Sequence, residues 1–290
     1  MWFYVALGAA FLSGFSTIIS KHTLKRISPL VFFWAVLIVS IPVIWISAWK
    51  EGIPSFSYAF FIGIAGSVVF YSISKILFYK SIKDSELSRV HPLSSLGSIF
   101  TLVFSAIILR DNPSVIGLIG VSITILGTYV LNISSMSEGL LEPFSILFRN
   151  KLSFLMLASV IAGSVVIVFD KLAVNHTFPQ NTSFVLLVED LVIVFGLIPW
   201  IFKKRKIVLP EIKGSWGSIL LLGILGAVDN IFAFIAIGKG NPGLVTTILR
   251  TQVFFVLLFS FLFLGDRPKT ETVVGTIIMI AGLVVLKLGS

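Results

Sequence analysis

The chain lacks cysteine and carries few charged residues. None of its 290 residues is Cys, three are His, and 12% are Asp, Glu, Lys or Arg. The absence of Cys excludes disulfide bonds, thiolate metal sites and Cys-attached haem, and soluble domains are about a quarter charged. The sequence also lacks a phosphate-binding glycine loop, a zinc-protease motif and a nucleophile elbow. We therefore expect no enzyme, no cofactor and no metal site.

Apolar residues dominate the chain instead. They make up 57% of it, and the mean hydropathy is +1.05. Apolar runs of about 20 residues match the hydrocarbon thickness of a bilayer, and in lipid the backbone polar groups of a helix are satisfied within that helix. The sequence therefore predicts an all-α membrane protein, a multi-pass protein of the cell membrane. Its ten predicted spans are 2–21, 29–49, 57–80, 87–109, 114–133, 152–174, 183–202, 216–238, 243–265 and 271–289.

An internal repeat divides the chain into two halves. A shift of 155 residues places the fourth and fifth spans on the ninth and tenth. It brings Asp111, Pro113, Gly120 and Gly127 onto Asp266, Pro268, Gly275 and Gly282. Matching Asp, Pro and Gly residues arise by chance less readily than matching apolar residues, so we predict two five-helix halves, 1–136 and 150–290. Residues 137–149 join them, either as a plain linker or as an interfacial helix over Gly139–Phe148.

Because each half has an odd number of spans, the two halves must cross the membrane in opposite orientations. Such inverted repeats are the architecture of many secondary transporters, whose substrate site lies between the halves near mid-membrane. Within each half the two repeated glycines are seven residues apart, so they lie on one helix face. We expect them to allow close packing of the fifth span against the tenth.

The duplicated pattern resembles the drug/metabolite transporter superfamily, specifically its EamA-type branch with ten helices. The resemblance is carried by Ser94 to Asp111 with Gly120 and Gly127, and by Leu249 to Asp266 with Gly275 and Gly282. The family usually has Gly-Glu where this chain has Arg110-Asp111 and Gly265-Asp266, so the acid is kept but shortened. The resemblance covers essentially the whole chain and implies a proton-coupled or exchange transporter of amino acids or similar small metabolites.

The basic residues predict an orientation in the membrane. We call the surface that carries the N-terminus face A and the opposite surface face B. The predicted loops of face B hold 15 Lys and Arg residues and those of face A hold 5. The positive-inside rule places face B in the cytoplasm and both termini outside, whereas the resemblance implies both termini inside. The formal charge of +9 then reflects loops that meet lipid head groups, and we expect no nucleic-acid partner.

Charged residues within the second half are candidate substrate ligands, because a charge inside a span is costly unless it faces a partner or a water-filled cavity. At about 1.5 Å per residue, Glu189, Asp229 and Arg250 lie at a similar depth from face A. Asn230 and Gln252 accompany them. Structural alternatives stay open: Glu189 could simply face a polar groove or pair with Arg250 to hold the bundle together, and Asp229 could form an ion pair with Arg250.

The first half has its own polar set, Tyr71, Lys75 and His91, nearer to face B. Lys75 shares a helix face with Tyr71, although it could instead extend to the membrane interface. His91 lies on a stripe of serines, and the repeat places Lys75 at the position of Asn230. The equivalent positions are polar but chemically different, which fits a polar and zwitterionic ligand between the halves.

These features predict a secondary transporter, an exporter or exchanger, that moves small polar metabolites by alternating access, with amino acids the first candidates. In this hypothesis Asp229 is the proton-coupling acid and Arg250 anchors a substrate carboxylate or phosphate. A nucleotide-sugar or sugar-phosphate exchanger is the alternative among carriers, and a lipid flippase or a structural membrane protein are alternatives from other classes. We expect the partners to be a small-molecule substrate and the lipid bilayer. We expect the protein to be a monomer or a homodimer.

Overall fold

Long apolar helices make up the part of the chain that the computed structural model describes, namely residues 1–84, 94, 96–132, 151–203, 205–264 and 270–289. The elements of these ranges are α1 (Trp2–Leu24), α2 (Pro29–Glu51), β1 (Ser55–Phe56), α3 (Tyr58–Asp84), α4 (Leu96–Ile108), α5 (Val115–Asn132), α6 (Lys151–Asn175), β2 (Thr177–Phe178), α7 (Thr182–Lys203), α8 (Arg205–Lys239), α9 (Pro242–Arg250), α10 (Gln252–Leu264) and α11 (Thr270–Leu288).

The helices confirm an all-α membrane protein with ten transmembrane segments. Within the described ranges eight helical stretches are long and apolar enough to cross a bilayer, one of them formed by α9 and α10 together, and α4 and α5 are shorter apolar helices. Each of these ten stretches overlaps one of the ten predicted spans, and residues 87–93 and 95 of the fourth predicted span lie outside the described residues. Exposed Phe, Ile, Leu and Trp side chains cover the outer surface of the bundle, as expected of a protein whose solvent is lipid.

Two spans differ from the prediction. Helix α8 has 35 residues and begins eleven residues before the predicted span, so at about 1.5 Å per residue it extends well beyond the hydrocarbon core at face B. There Glu211 accepts hydrogen bonds from the backbone and hydroxyl of Ser28, both 3.0 Å long. The ninth span was predicted as continuous but is interrupted at Thr251, between α9 and α10. The predicted interfacial helix, Gly139–Phe148, lies outside the described residues.

Helices α5 and α11, which are equivalent in the two halves, run antiparallel, as an inverted repeat requires. Along the contact of α5 with α11, a Cβ atom at Gly120 would meet the backbone of Leu286, and a Cβ atom at Gly127, seven residues later, would meet that of Met279. The equivalent glycines of α11 press on the backbone of α5 in the same way. The predicted role of the repeated glycines, close packing of the fifth and tenth spans, is confirmed.

The pattern of helix packing is also nearly symmetric. Helix α3 of the first half packs along α6 of the second, and its counterpart α8 packs along α1. Likewise α4 contacts α6, while the counterparts of α4, helices α9 and α10, contact α1. Each half therefore completes its packing with helices of the other half, and the space between the halves is the centre of the protein.

A set of polar contacts covers the centre at face A. Strands β1 and β2 pair as a short antiparallel ribbon, and Asn181 donates hydrogen bonds to the carbonyls of Ala48 and Gly52. The Lys171 ammonium donates to three carbonyls where α8 ends, those of Ile237, Gly238 and Gly240, at 2.8, 2.9 and 3.1 Å. These contacts tie α2, α6, α7 and α8 together on this side of the membrane.

Candidate functional site

A cavity of about 250 Å³ lies between the two halves. Its walls come from α1, α2 and α3 of the first half and α6, α8 and α9 of the second, with Gln252 of α10 beside them. Its charged lining residues are Lys75, Asp170, Asp229 and Arg250. Its lining on α2 and α3 belongs to the half of each helix nearer face B, whereas its lining on α8, from Leu222 to Ile237, belongs to the half nearer face A. The cavity therefore spans the middle of the membrane and reaches the contacts of face A at Ile237.

Lys75 and Tyr71 form one polar wall of the cavity. The Lys75 ammonium lies over the Tyr71 ring, 5.3 Å from its centroid, a distance at which a cation is attracted to the ring face. Phe33 of α2 packs edge-on against the same ring at 5.7 Å, which fixes its orientation. The side chain of Asn230 lies beside the Tyr71 hydroxyl, so α3 and α8 present hydroxyl, amide and ammonium groups together.

Asp229 lies next to Asn230 on α8 and faces the first half. The Ser13 hydroxyl of α1 approaches its carboxylate, and Lys75 of α3 is the charged group close enough to act on it. Helix α8 can approach α1 closely because Gly8 is small: a Cβ atom there would touch the ring of Phe232. Asp229 therefore lies opposite α3. Among the described residues that line the cavity, Lys75 of α3 is the cation contributed by the first half.

Arg250 enters the cavity at the break of the ninth span. It is the last residue of α9, where the negative end of the helix dipole favours a cation, and Thr251 then turns the chain before α10. Its guanidinium rests on Gly97 of α4, where any Cβ atom would collide with it. Arg250 Nε is buried and has no hydrogen-bond partner among the described residues. Broken helices of this kind present backbone and side-chain polar groups to substrates in many transporters.

Local sequence explains why α9 is short and well defined. Asn241 precedes it and accepts hydrogen bonds from the backbone of Gly243 and Leu244, as an N-cap residue does, and Pro242 at the first helical position suits that end. The Asn241 amide also donates to the Asp111 side chain, at 2.8 Å, and to its carbonyl. The start of α9 is thereby fixed to the first half at face A, which leaves its other end, with Arg250, in the cavity.

Six of the eight predicted site residues line this cavity. They are Tyr71, Lys75, Asp229, Asn230, Arg250 and Gln252. Glu189 is buried beside the cavity but does not line it: its carboxylate accepts a hydrogen bond from Ser67, 2.8 Å long, rather than meeting Arg250. His91 lies outside the described residues. Lys75 points into the cavity and not to the membrane interface.

Sequence reasoning missed Asp170, Ser67 and Ser40. Asp170 lines the cavity and lies in contact with the hydroxyl of Ser67, and Ser40 contacts Asp190 at 2.9 Å. Asp170 is visible in the sequence as a charged residue near the end of the sixth predicted span. The two serines gave no signal, because an isolated serine in an apolar helix does not indicate which helix lies opposite.

Comparison with known proteins agrees with this architecture. The model of the EamA-like transporter family matches residues 1–133 and again residues 150–288. A solved structure titled "Crystal structure of protein" superposes with a TM-score of 0.69 over 98% of this chain and 96% of that one, at 14% sequence identity, so the two share a fold.

A curated relative matches over a shorter stretch. Phosphoenolpyruvate/phosphate translocator 1 of the chloroplast, from Arabidopsis thaliana, is 34% identical over 90 residues, which are 31% of this chain and 21% of that protein. The match thus spans about a fifth of the translocator's length. The family match, in contrast, covers both halves of the chain. The protein is a multi-pass membrane protein and belongs to the EamA-like transporter family, whose members are transporters and not enzymes.

Proposed function

We propose that the protein is a secondary transporter of small zwitterionic metabolites, with amino acids the first candidates. The observation that carries the proposal is a central cavity with a carboxylate group and a guanidinium group on different walls. Asp229 lies beside Ser13 of α1, and Arg250 lies against Gly97 of α4. A substrate that carries both an ammonium and a carboxylate group would find a partner for each.

The energetic cost of the two buried charges favours a bound substrate over a purely structural role for them. A central Asp or Arg costs about 2.5–3.5 kcal/mol on insertion scales, and charge-assisted hydrogen bonds are among the strongest available. Arg250 Nε lacks a partner among the described residues, and a planar guanidinium suits a carboxylate. In this proposal Arg250 anchors the substrate carboxylate, and Asp229, with the Asn230 amide, holds the ammonium.

The inverted architecture supplies the transport step. Two halves that pack through equivalent contacts can exchange roles, so that contacts closing face A in one state have counterparts that close face B in the other. Here the contacts of Lys171 and Asn181 tie α2, α6, α7 and α8 together at face A, so the cavity is closed on that side. We therefore assign this conformation to the state that receives or releases substrate at face B.

Substrate binding is tested by thermal unfolding of the purified protein with neutral, acidic and basic amino acids. A ligand at 100 times its Kd stabilises a protein by about 2.7 kcal/mol, so a binding amino acid should raise Tm. Arg250→Gln and Asp229→Asn should each abolish the increase. The matched controls Arg26→Gln and Asp84→Asn change exposed residues and should retain it. An increase that persists in both cavity variants would contradict the proposal.

A phosphorylated substrate is the second candidate, because two cations, Lys75 and Arg250, share the cavity and the curated relative is a phosphoenolpyruvate/phosphate translocator. The volume of about 250 Å³ lies below the roughly 300–1,000 Å³ of pockets for drug-sized ligands. It therefore favours a small phosphorylated acid over a nucleotide sugar. Stabilisation by phosphoenolpyruvate that is lost in Lys75→Gln, without any response to amino acids, would select this candidate.

A further inference from the structure

Three carboxyl groups lie together beside the cavity, where α2, α3, α6 and α7 meet. They belong to Asp170 of α6 and to Glu189 and Asp190 of α7, and we call them the acid cluster. Their exposed fractions are 3%, 2% and 0%. Asp170 also lines the cavity, so the cluster communicates with the space that the substrate would occupy.

The two serine hydroxyl groups that contact the acid cluster have fewer hydrogens than their contacts require. The Ser67 hydroxyl contacts both Asp170 Oδ1 and Glu189 Oε1. The Ser40 hydroxyl contacts both Asp190 Oδ2, at 2.9 Å, and a backbone carbonyl of its own helix, at 2.8 Å. Because a hydroxyl has one hydrogen to donate, each serine can serve only one of its two acceptors. Both contacts become hydrogen bonds when a carboxyl group carries a proton and donates it to the serine oxygen.

The remaining oxygen atoms also favour bound protons. Glu189 Oε2 and Asp190 Oδ1 are buried, and neither has a hydrogen-bond partner in the part of the chain that the structure describes. A carboxylate buried without a partner is strongly destabilising, and such groups neutralise instead. Across the described ranges no three His, Asp or Glu side chains are arranged to hold a metal ion. A proton is the cation that fits these oxygens.

The positive charge that faces the cluster is shared. Lys75 of α3 acts on Glu189 and Asp190, and also on Asp229 of α8. From α3 the Tyr71 hydroxyl faces the same acids. Helix α2 has no charged residue over 29–49, and Lys171 of α6 is bound to carbonyls at face A. The Arg250 guanidinium of α9 shares the cavity with Asp170 and Asp229 and lies near Lys75. Among the described residues, then, two cations face four carboxyl groups, too few to neutralise them all.

We propose that the acid cluster binds exchangeable protons and couples their movement to substrate transport. This inference rests on the proposed function and names its coupling ion. With protons bound, Ser67 joins α6 to α7 through Asp170 and Glu189. When the protons leave through the cavity, adjacent negative charges repel each other, and α7 separates from α3 and α6. Proton occupancy thereby selects between conformations of the two halves.

This assignment moves the coupling acid away from Asp229, where the sequence hypothesis placed it. Asp229 lines the cavity, where a substrate ammonium can reach its carboxylate, and Lys75 lies close to it. Glu189 does not line the cavity, and its carboxyl is joined to that of Asp170 through one hydroxyl. In this arrangement Asp229 is the acid that contacts the substrate, and Asp170 and Glu189 are the pair that binds protons.

The first test needs no substrate. Difference infrared spectroscopy of the purified protein detects protonated carboxyl groups by their carbonyl stretch, which should be present at neutral pH and lost in alkaline buffer. Asp170→Asn and Glu189→Gln should each remove part of this band. Glu51→Gln, at the exposed end of α2, should leave it unchanged. A band that survives unaltered in both cluster variants would overturn the proposal.

Thermal stability supplies a second readout in the same variants. Carboxyl groups of an unfolded chain ionise near pH 4, so a folded state that retains protons above that pH loses stability as pH rises. Each retained proton changes the unfolding equilibrium constant by about tenfold per pH unit. An amide imitates a protonated carboxyl group, so Asp170→Asn and Glu189→Gln should fold and should show a weaker dependence on pH. An undiminished dependence in both would contradict proton binding by the cluster.

Transport then separates this inference from the proposed function. In proteoliposomes, amino acid exchange at equal pH should occur in the wild type and remain measurable in Glu189→Gln. Uptake driven by a pH gradient should be lost in Glu189→Gln and retained in Glu51→Gln. Absence of exchange by the wild type would refute the proposed function. Exchange together with gradient-driven uptake in Glu189→Gln, or uptake driven by a sodium gradient alone, would refute the role of the acid cluster.

Discussion

Gly127 of α5 lies directly against the backbone of Met279 of α11. The two helices occupy equivalent positions in the two halves. They run antiparallel to each other, and a pseudo-twofold axis relates one to the other. Four glycines at equivalent positions form this contact, so the backbones of α5 and α11 approach each other closely along it. It fixes one side of the bundle, while the cavity lies among the other helices.

We predict that Gly127→Ala destabilises the protein. The new methyl group would overlap the Met279 backbone, and overpacking of a tight contact costs about 1–3 kcal/mol. The control is Gly196→Ala, because a Cβ atom at Gly196 has no neighbour within 4 Å and Ala favours a helix over Gly by about 1 kcal/mol. Thermal unfolding in detergent should show a lower Tm for the first variant and an unchanged or higher Tm for the second.

We predict that Lys171→Met opens face A. The substitution removes three hydrogen bonds to carbonyls at the end of α8, at a cost of about 1.5–3 kcal/mol for one charged donor. Lys239→Met is the control, because Lys239 is exposed. Hydrogen exchange at residues 237–240 should accelerate in Lys171→Met alone. Equal exchange in the two variants would show that Lys171 does not hold this side closed.

Membrane orientation follows from the 15 to 5 distribution of Lys and Arg between the two faces. A single Cys at Asp84, exposed near face B, should react with an impermeant reagent only after the cytoplasmic side is made accessible. A single Cys at Asn112, exposed near face A, should react from outside. The absence of native Cys makes both labels specific. The reverse labelling pattern would mean that both termini are cytoplasmic.

The parts of the fold that the sequence predicts are those that depend on local composition. The spans follow from apolar length, and the contact of α5 with α11 follows from glycines at fixed spacing. The break at Thr251 could not be predicted, because neither Gly nor Pro occurs between Arg250 and Leu264 to interrupt the helix. It results from a turn in which the Thr251 backbone donates to Ile248.

The candidate site was only partly predictable for a related physical reason. A transmembrane helix is apolar on all sides, so its sequence shows the depth of a polar residue but not the direction in which it points. Depth placed Glu189 level with Asp229 and Arg250, yet rotation of α7 turns Glu189 towards Ser67 and away from the cavity lining. Contacts such as that of Ser67 with Asp170 depend on how α3 crosses α6. The spacing of residues along one helix does not predict how that helix crosses another.

The most direct measurement of the central claim is counterflow of a labelled amino acid into proteoliposomes that contain the unlabelled compound. The wild type should accumulate label without any ion gradient, because exchange requires only the cavity and alternating access. Arg250→Gln should reduce accumulation at least tenfold, since loss of one charge-assisted contact of about 1.5–3 kcal/mol weakens binding by that order, whereas Arg26→Gln should accumulate label like the wild type. Counterflow in Arg250→Gln at the wild-type rate, or none in the wild type with any amino acid or with phosphoenolpyruvate, would contradict the account.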